Sequence, residues 1–113
     1  MDGSFDAAGW EGETPRVVRF GGWALLAGRS GAVWFAVENR CSHAGSPLDQ
    51  GRVRRGAIVC PLHGARFDLA TGKCLGGPYA PLRTFPVAEA GGRVTLTVPD
   101  TPPPADHLPL MPV

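Results

Sequence analysis

Cysteine is scarce in this chain of 113 residues. There are three, and the odd count does not fit the even-numbered disulfide framework of a small secreted domain. No run approaches the roughly 20 apolar residues of a membrane span, and the first nine residues carry Asp2 and Asp6 with no apolar stretch. The expectation is a cytoplasmic protein whose cysteines are ligands or free thiols. Excess charge is also missing. Eleven Lys and Arg against ten Asp and Glu leave +1, too little for a general nucleic-acid or membrane polyelectrolyte. Ten of the eleven cations are arginine, a bias of composition that carries no function by itself. No Ser/His/Asp set, paired carboxylates or phosphate-cradling loop is visible. At 113 residues the chain has room for one modest core, not for a cofactor module with a separate substrate domain.

What the chain does have is glycine and proline, 16 and 12, which favour turns over helices. Short apolar runs lie between the turn residues. Arg16–Phe20 and Trp23–Ala27 are separated by Gly21-Gly22, and Gly28–Gly31 reads as a turn before Ala32–Val37. These runs predict a β-meander with strands covered on both faces. Trp23 and Trp34 read as core. Arg83–Glu89 and Arg93–Val98 are joined by Gly91-Gly92, and the second alternates strictly, with Val94, Leu96 and Val98 inward. The fold class expected is all-β with antiparallel sheets. Residues 1–15 read as a polar, flexible arm pinned by Trp10. Pro99–Val113, with six prolines, reads as an extended tail. The whole of 1–113 reads as one domain.

The chemistry concentrates in the middle. Cys41-Ser42-His43 is followed, after sixteen intervening residues, by Cys60-Pro61-Leu62-His63. Each box follows a β-type run and is trailed by turn residues, so two loops can bring two thiolates and two imidazoles to one point. Accidental spacing is a poor account of four of the chain's six Cys and His falling in two tight boxes. Two soft thiolates with two imidazoles suit zinc or iron–sulfur chemistry. Zinc domains with this donor set group like with like. The interleaving of one Cys and one His per box suits a two-iron centre with both thiolates on one iron. A structural zinc module that scaffolds a protein interaction is the alternative from another class. Cys74 is left over and reads as a small buried hydrophobe. His107, in the tail, reads as exposed. Residues 38–83 carry seven cations against three carboxylates, a local +4, which fits either a solvated surface or steering of acidic partners.

The two boxes, with Gly64, Arg66-Phe67-Asp68, Thr71-Gly72-Lys73, Gly77-Pro78 and Pro81–Val87, resemble the Rieske [2Fe–2S] proteins over about residues 15–98. The resemblance implies the Rieske fold, a sandwich or incomplete barrel with a small loop-rich cluster-binding subdomain at about 39–82. It implies one cluster per chain. Cys41 and Cys60 would bind one iron, and His43 and His63 the other through Nδ1, with each Nε2–H at the surface. Pro78 would sit in the loop over the cluster. Respiratory members carry two further cysteines where this sequence has Ser46 and Leu62, and hydroxyl donors where it has Ala65 and Phe67. Lacking those donors, the cluster is expected at the low end of the Rieske range, about −150 mV. The branch most resembled is the ferredoxins of aromatic ring-hydroxylating oxygenases. Such a protein carries single electrons from an NAD(P)H-dependent flavoprotein reductase to a terminal oxygenase and is not itself a catalyst. The small subunit of a nitrite reductase is the alternative. Leu48, Leu62 and Pro78 are expected to form an apolar docking patch around the two histidines.

Overall fold

A computed structural model describes residues 1–6, 15–30, 33–40, 48–49, 51–60, 64–77 and 79–101. Among them there is no helix, and so none long and apolar enough to cross a membrane. Ten strands form three antiparallel sheets. The first sheet joins β1 (Asp2–Asp6), β10 (Arg93–Thr97) and β9 (Val87–Ala90) in that order. The second is a meander of β2 (Arg16–Phe20), β3 (Trp23–Ser30) and β4 (Val33–Glu38). The third joins β5 (Arg52–Arg54), β6 (Ala57–Val59), β7 (Arg66–Asp68) and β8 (Cys74–Leu75).

The meander lies between two cores, because its strands are apolar on both faces. Trp23, Leu25 and Ala36 point to one core with Phe85 and Leu96, while Leu26, Phe35 and Val37 point to the other with Ile58 and Phe67. A strand alternates sides at every residue, so a continuous apolar run fills two cores at once. This bears out the expected double-sided cover. The Gly21-Gly22 and Gly91-Gly92 hairpins are also as expected, with φ of 61° and 83° in the first pair and 59° and 80° in the second. Both residues of such a tight turn need φ above zero, which glycine adopts without a Cβ clash. Val94, Leu96 and Val98 are buried, as their alternation requires.

Four expectations are corrected. Residues 2–6 are strand β1, paired along β10 from Asp2↔Thr97 to Asp6↔Arg93, not part of a flexible arm. The pairing is reinforced where Val98 N donates to Met1 O at 2.9 Å and the N-terminal ammonium donates to Val98 O at 2.8 Å. That ammonium also bonds Asp100 at 2.9 Å and holds its carboxyl below the ordinary value. Gly28 is not a turn residue. It continues β3 opposite Phe35, whose ring would lie only 3.0 Å from a Cβ there. The run Arg83–Glu89 is broken at Pro86. Thr84 bridges to Val37 in the meander, and only Val87–Ala90 joins the other sheet. Trp34 is half-buried, with the Arg29 guanidinium 5.6 Å from its ring centroid. Trp23 is core, and its Nε1–H donates to Thr101 O at 3.0 Å, tying down the start of the proline-rich segment. Trp10 and His107 lie outside the described residues.

Candidate metal centre

The first box is built from its base. β4 ends in a tight turn, with Arg40 N donating to Glu38 O at 2.8 Å, and this turn delivers the chain to Cys41. Within it Asn39 is fully buried. Its backbone N–H donates to Ala24 O at 2.9 Å, anchoring it to β3. Its side chain reaches across the loop: Oδ1 accepts the Leu48 N–H at 2.7 Å and Nδ2 donates to Asp49 Oδ1 at 3.3 Å. One amide side chain thus ties together the two ends of the segment that carries Cys41 and His43. The residue is not a metal ligand, and reading the boxes alone passes over it. The available signal is an asparagine directly after an apolar strand, a residue type suited to replacing backbone partners in turns.

The second box follows β6. Cys60 is 1% exposed and faces the same core as Leu48, Ile58 and Phe67. Its N–H donates to Ala65 O at 2.7 Å, and its carbonyl accepts the Gly64 N–H at 3.0 Å. These bonds set Gly64, at φ 73°, and Ala65 back against Cys60. The bases of the two boxes meet at Gly51. Its N–H donates to Leu48 O at 2.8 Å, and a Cβ there would collide with the carbonyl oxygen of Val59, the residue before Cys60. The return segment closes the arrangement. Leu82 N donates to Gly72 O at 2.8 Å, and Glu38 N donates to Arg83 O at 2.8 Å beside the base of the first box.

Of the four expected ligands, Cys60 is described; Cys41, His43 and His63 lie outside the described residues, as do Ser46, Leu62 and Pro78. Leu48 is corrected. It is fully buried in the core, with its N–H donated to Asn39 Oδ1, and contributes nothing to an exposed docking patch. Cys74 is half-buried against that core, in keeping with a packing role. Phe67 is fully buried and Ala65 half-buried, and neither side chain carries a hydroxyl. The local observations fit a sulfur-ligated group. The Cys60 thiol is itself buried, and backbone bonds to Gly64 and Ala65 hold it in place.

Replacing Asn39 by alanine is expected to leave the Leu48 N–H buried and unbonded, at a cost of about 1–3 kcal/mol. Urea denaturation of the holo-protein checks this. Asn39→Asp keeps the acceptor oxygen but sets a buried carboxylate against Asp49, so it is expected to be no more stable than Asn39→Ala; equal stability of Asn39→Ala and the parent would refute the clasp.

Residues 6–86 match the family described as Rieske [2Fe-2S] domain. Among curated proteins, the 3-phenylpropionate/cinnamic acid dioxygenase ferredoxin subunit of Photorhabdus laumondii is 45% identical over 67 residues, which is 58% of this chain. That match spans 64% of the relative, just under two thirds of its length. Among solved structures, the ferredoxin of carbazole 1,9a-dioxygenase from Nocardioides aromaticivorans IC177 superposes with a TM-score of 0.76 at 28% identity, covering 88% of this chain and 94% of that one. A chain from a complex of reduced oxygenase and oxidised ferredoxin in carbazole 1,9a-dioxygenase gives 0.74 at 31% identity, covering 81% and 96%. A family match over most of the sequence, on a three-sheet fold that buries Cys60, leads to one assignment: this chain belongs to the Rieske [2Fe-2S] domain family.

Proposed function

We propose that this protein is a low-potential Rieske ferredoxin, a cytoplasmic one-electron carrier in an aromatic ring-hydroxylating oxygenase system. It takes electrons from an NAD(P)H-dependent flavoprotein reductase and passes them to the terminal oxygenase, without acting on the organic substrate. The observation that carries this reading is the superposition on a dioxygenase ferredoxin over 94% of that protein's length. The likeness to a chain from an oxygenase–ferredoxin complex supports the oxygenase as partner.

In this reading Cys41 and Cys60 are the thiolate ligands and His43 and His63 the imidazole ligands, within a cluster-binding subdomain at 39–82. When bound, the Rieske cluster supplies a centre that accepts and returns one electron. The chain's own residues set the conditions. Cys60 holds its thiolate in the core, out of water. Asn39 and Gly51 both bind Leu48, which fixes the residues on either side of the first box. Ala65 and Phe67 withhold the hydroxyl donors that would stabilise the more negative, reduced state, which keeps the potential low.

The purified protein is expected to be red-brown, with iron and acid-labile sulfide in equal amounts and a Rieske-type EPR signal only after reduction. Protein-film voltammetry should give a potential near the bottom of the family range, about −150 mV. A colourless protein containing zinc would overturn the carrier reading, and a potential well above zero would overturn the low-potential assignment.

A further inference from the structure

We infer that the outer face of the β5–β8 sheet is a docking surface for an acidic patch with an apolar centre on a redox protein partner. The nature of that partner rests on the carrier reading above; the surface itself follows from strand register. Arg52, Val59, Arg66 and Leu75 are directly opposed in one row across the four strands, and Arg54, Ala57 and Asp68 in a second. Opposed residues share a face. The intervening row, Val53, Ile58, Phe67 and Cys74, packs on the core, so the two arginine-bearing rows point outward.

Arg52, Arg54 and Arg66 are exposed, and the β5–β6 turn adds Arg55. Arg55 stands at φ 51°, a left-handed backbone that long side chains seldom adopt. Arg54, Arg55, Arg66 and Leu75 line, with Ala57 and Val59, a groove of about 420 Å³. Leu75 is 38% exposed, an apolar floor left open among the cations. None of the four guanidinium groups has a hydrogen bond or ion pair with a described residue. Asp68 is the one carboxylate in these rows, and its Oδ1 is engaged by the Ala70 and Thr71 N–H groups of its own turn. Arg52 and Arg54 stand on one face about 7 Å apart along the strand, a mutual repulsion that an incoming carboxylate relieves. Guanidinium forks match carboxylates in paired geometry, and the open apolar floor matches an apolar patch between them. With a net charge of only +1, the molecule lacks the broad field that nucleic-acid binding uses.

The location gives the surface its use. Val59 directly precedes Cys60, and Arg66 directly follows Ala65, so the first row borders Cys60. A partner seated on this face has the Cys60 backbone at its edge.

The test uses the full holo-protein with two probes: a carboxylate-terminated monolayer on gold, read by voltammetry, and a fluorescent glutamate-rich peptide, read by anisotropy. At an ionic strength of about 0.01 M, where screening is weak, the parent should adsorb with a reversible couple and bind the peptide. Arg52→Gln/Arg54→Gln/Arg66→Gln should lose both by about tenfold or more, with its solution potential and EPR spectrum unchanged. Arg16→Gln/Arg19→Gln/Arg93→Gln removes the same charge elsewhere and should retain both. Equal losses in the two variants, or none in the first, overturn the proposal. So does tighter binding of a duplex DNA oligonucleotide than of the peptide through the same three arginines. Absence of any cluster signal from the parent refutes the carrier reading instead, and the peptide arm still tests the surface.

Discussion

Cys60→Ser is expected to abolish the visible absorption and the EPR signal of the purified protein, while Cys74→Ser retains both. The two cysteines lie only two strands apart in sequence, yet their surroundings differ. Cys60 is 1% exposed, and two backbone bonds fix its position. Cys74 is half-buried on β8, with its sulfur packed near Gly77. A serine hydroxyl keeps nearly the size of the thiol but is a hard, weakly acidic donor, whereas iron–sulfur clusters are held by soft thiolates. Loss is therefore expected to be complete, not graded. Iron and sulfide analysis with absorption spectra of both variants checks it. Full colour in Cys60→Ser would remove Cys60 from the ligand set, and loss of colour in Cys74→Ser would bring Cys74 into it.

Gly51→Ala is expected to destabilise the protein by about 3 kcal/mol and to cost most of its cluster, although Gly51 is not a ligand. The added methyl meets the Val59 carbonyl oxygen, with the Leu48 carbonyl oxygen 3.1 Å away. Both obstacles are backbone, so neither can rotate aside. Relief requires separating the Leu48–Gly51 segment from the end of β6, which moves the base of the first box away from Cys60. Thermal unfolding with iron content read in the same samples checks this. A variant with the parent's melting temperature and iron content would show that the two bases tolerate separation. Gly56→Ala is a useful contrast for space, because nothing lies within 4 Å of a Cβ there, although its φ of 76° carries a backbone cost.

Much of the fold was legible because it depends on local chemistry. Glycine pairs read as two-residue turns and behave as such at 21–22 and 91–92, since positive φ is a property of the residue and not of its neighbours. Alternation along Val94–Val98 placed three side chains inward correctly. Strand β1 was not legible. Asp2–Asp6 has poor strand propensity and is ordered by pairing with β10, more than 85 positions away in the chain. Gly28 misled for the same reason: a glycine that makes room for the Phe35 ring looks, in sequence, like a glycine that turns.

The candidate site divides in a similar way. The spacing of Cys41, His43, Cys60 and His63 narrows the site to a thiolate–imidazole metal centre but leaves zinc and iron–sulfur both open. It is the boxes together with their flanking motifs that resemble the family matched over residues 6–86. It did not reveal how the boxes are held. Asn39 serves the site through Leu48 N–H and Asp49, nine and ten positions further along. Leu48, read as part of an exposed apolar patch, is buried in the core.

By itself, then, the sequence determined the turns at 21–22 and 91–92 and the all-β character, and it proposed the donor set, because each rests on residues close together in the chain. It also counted a local excess of arginine but left its meaning open between a solvated surface and a docking one. Only the tertiary structure decided that Arg52, Arg54 and Arg66 share one face, that Leu48 is inside, and that Gly51 packs against the carbonyl of Val59, the residue before Cys60. The physical reason is common to all three. Strand register and close packing are set by contacts between distant segments, and which face a side chain occupies follows from the register of its whole sheet.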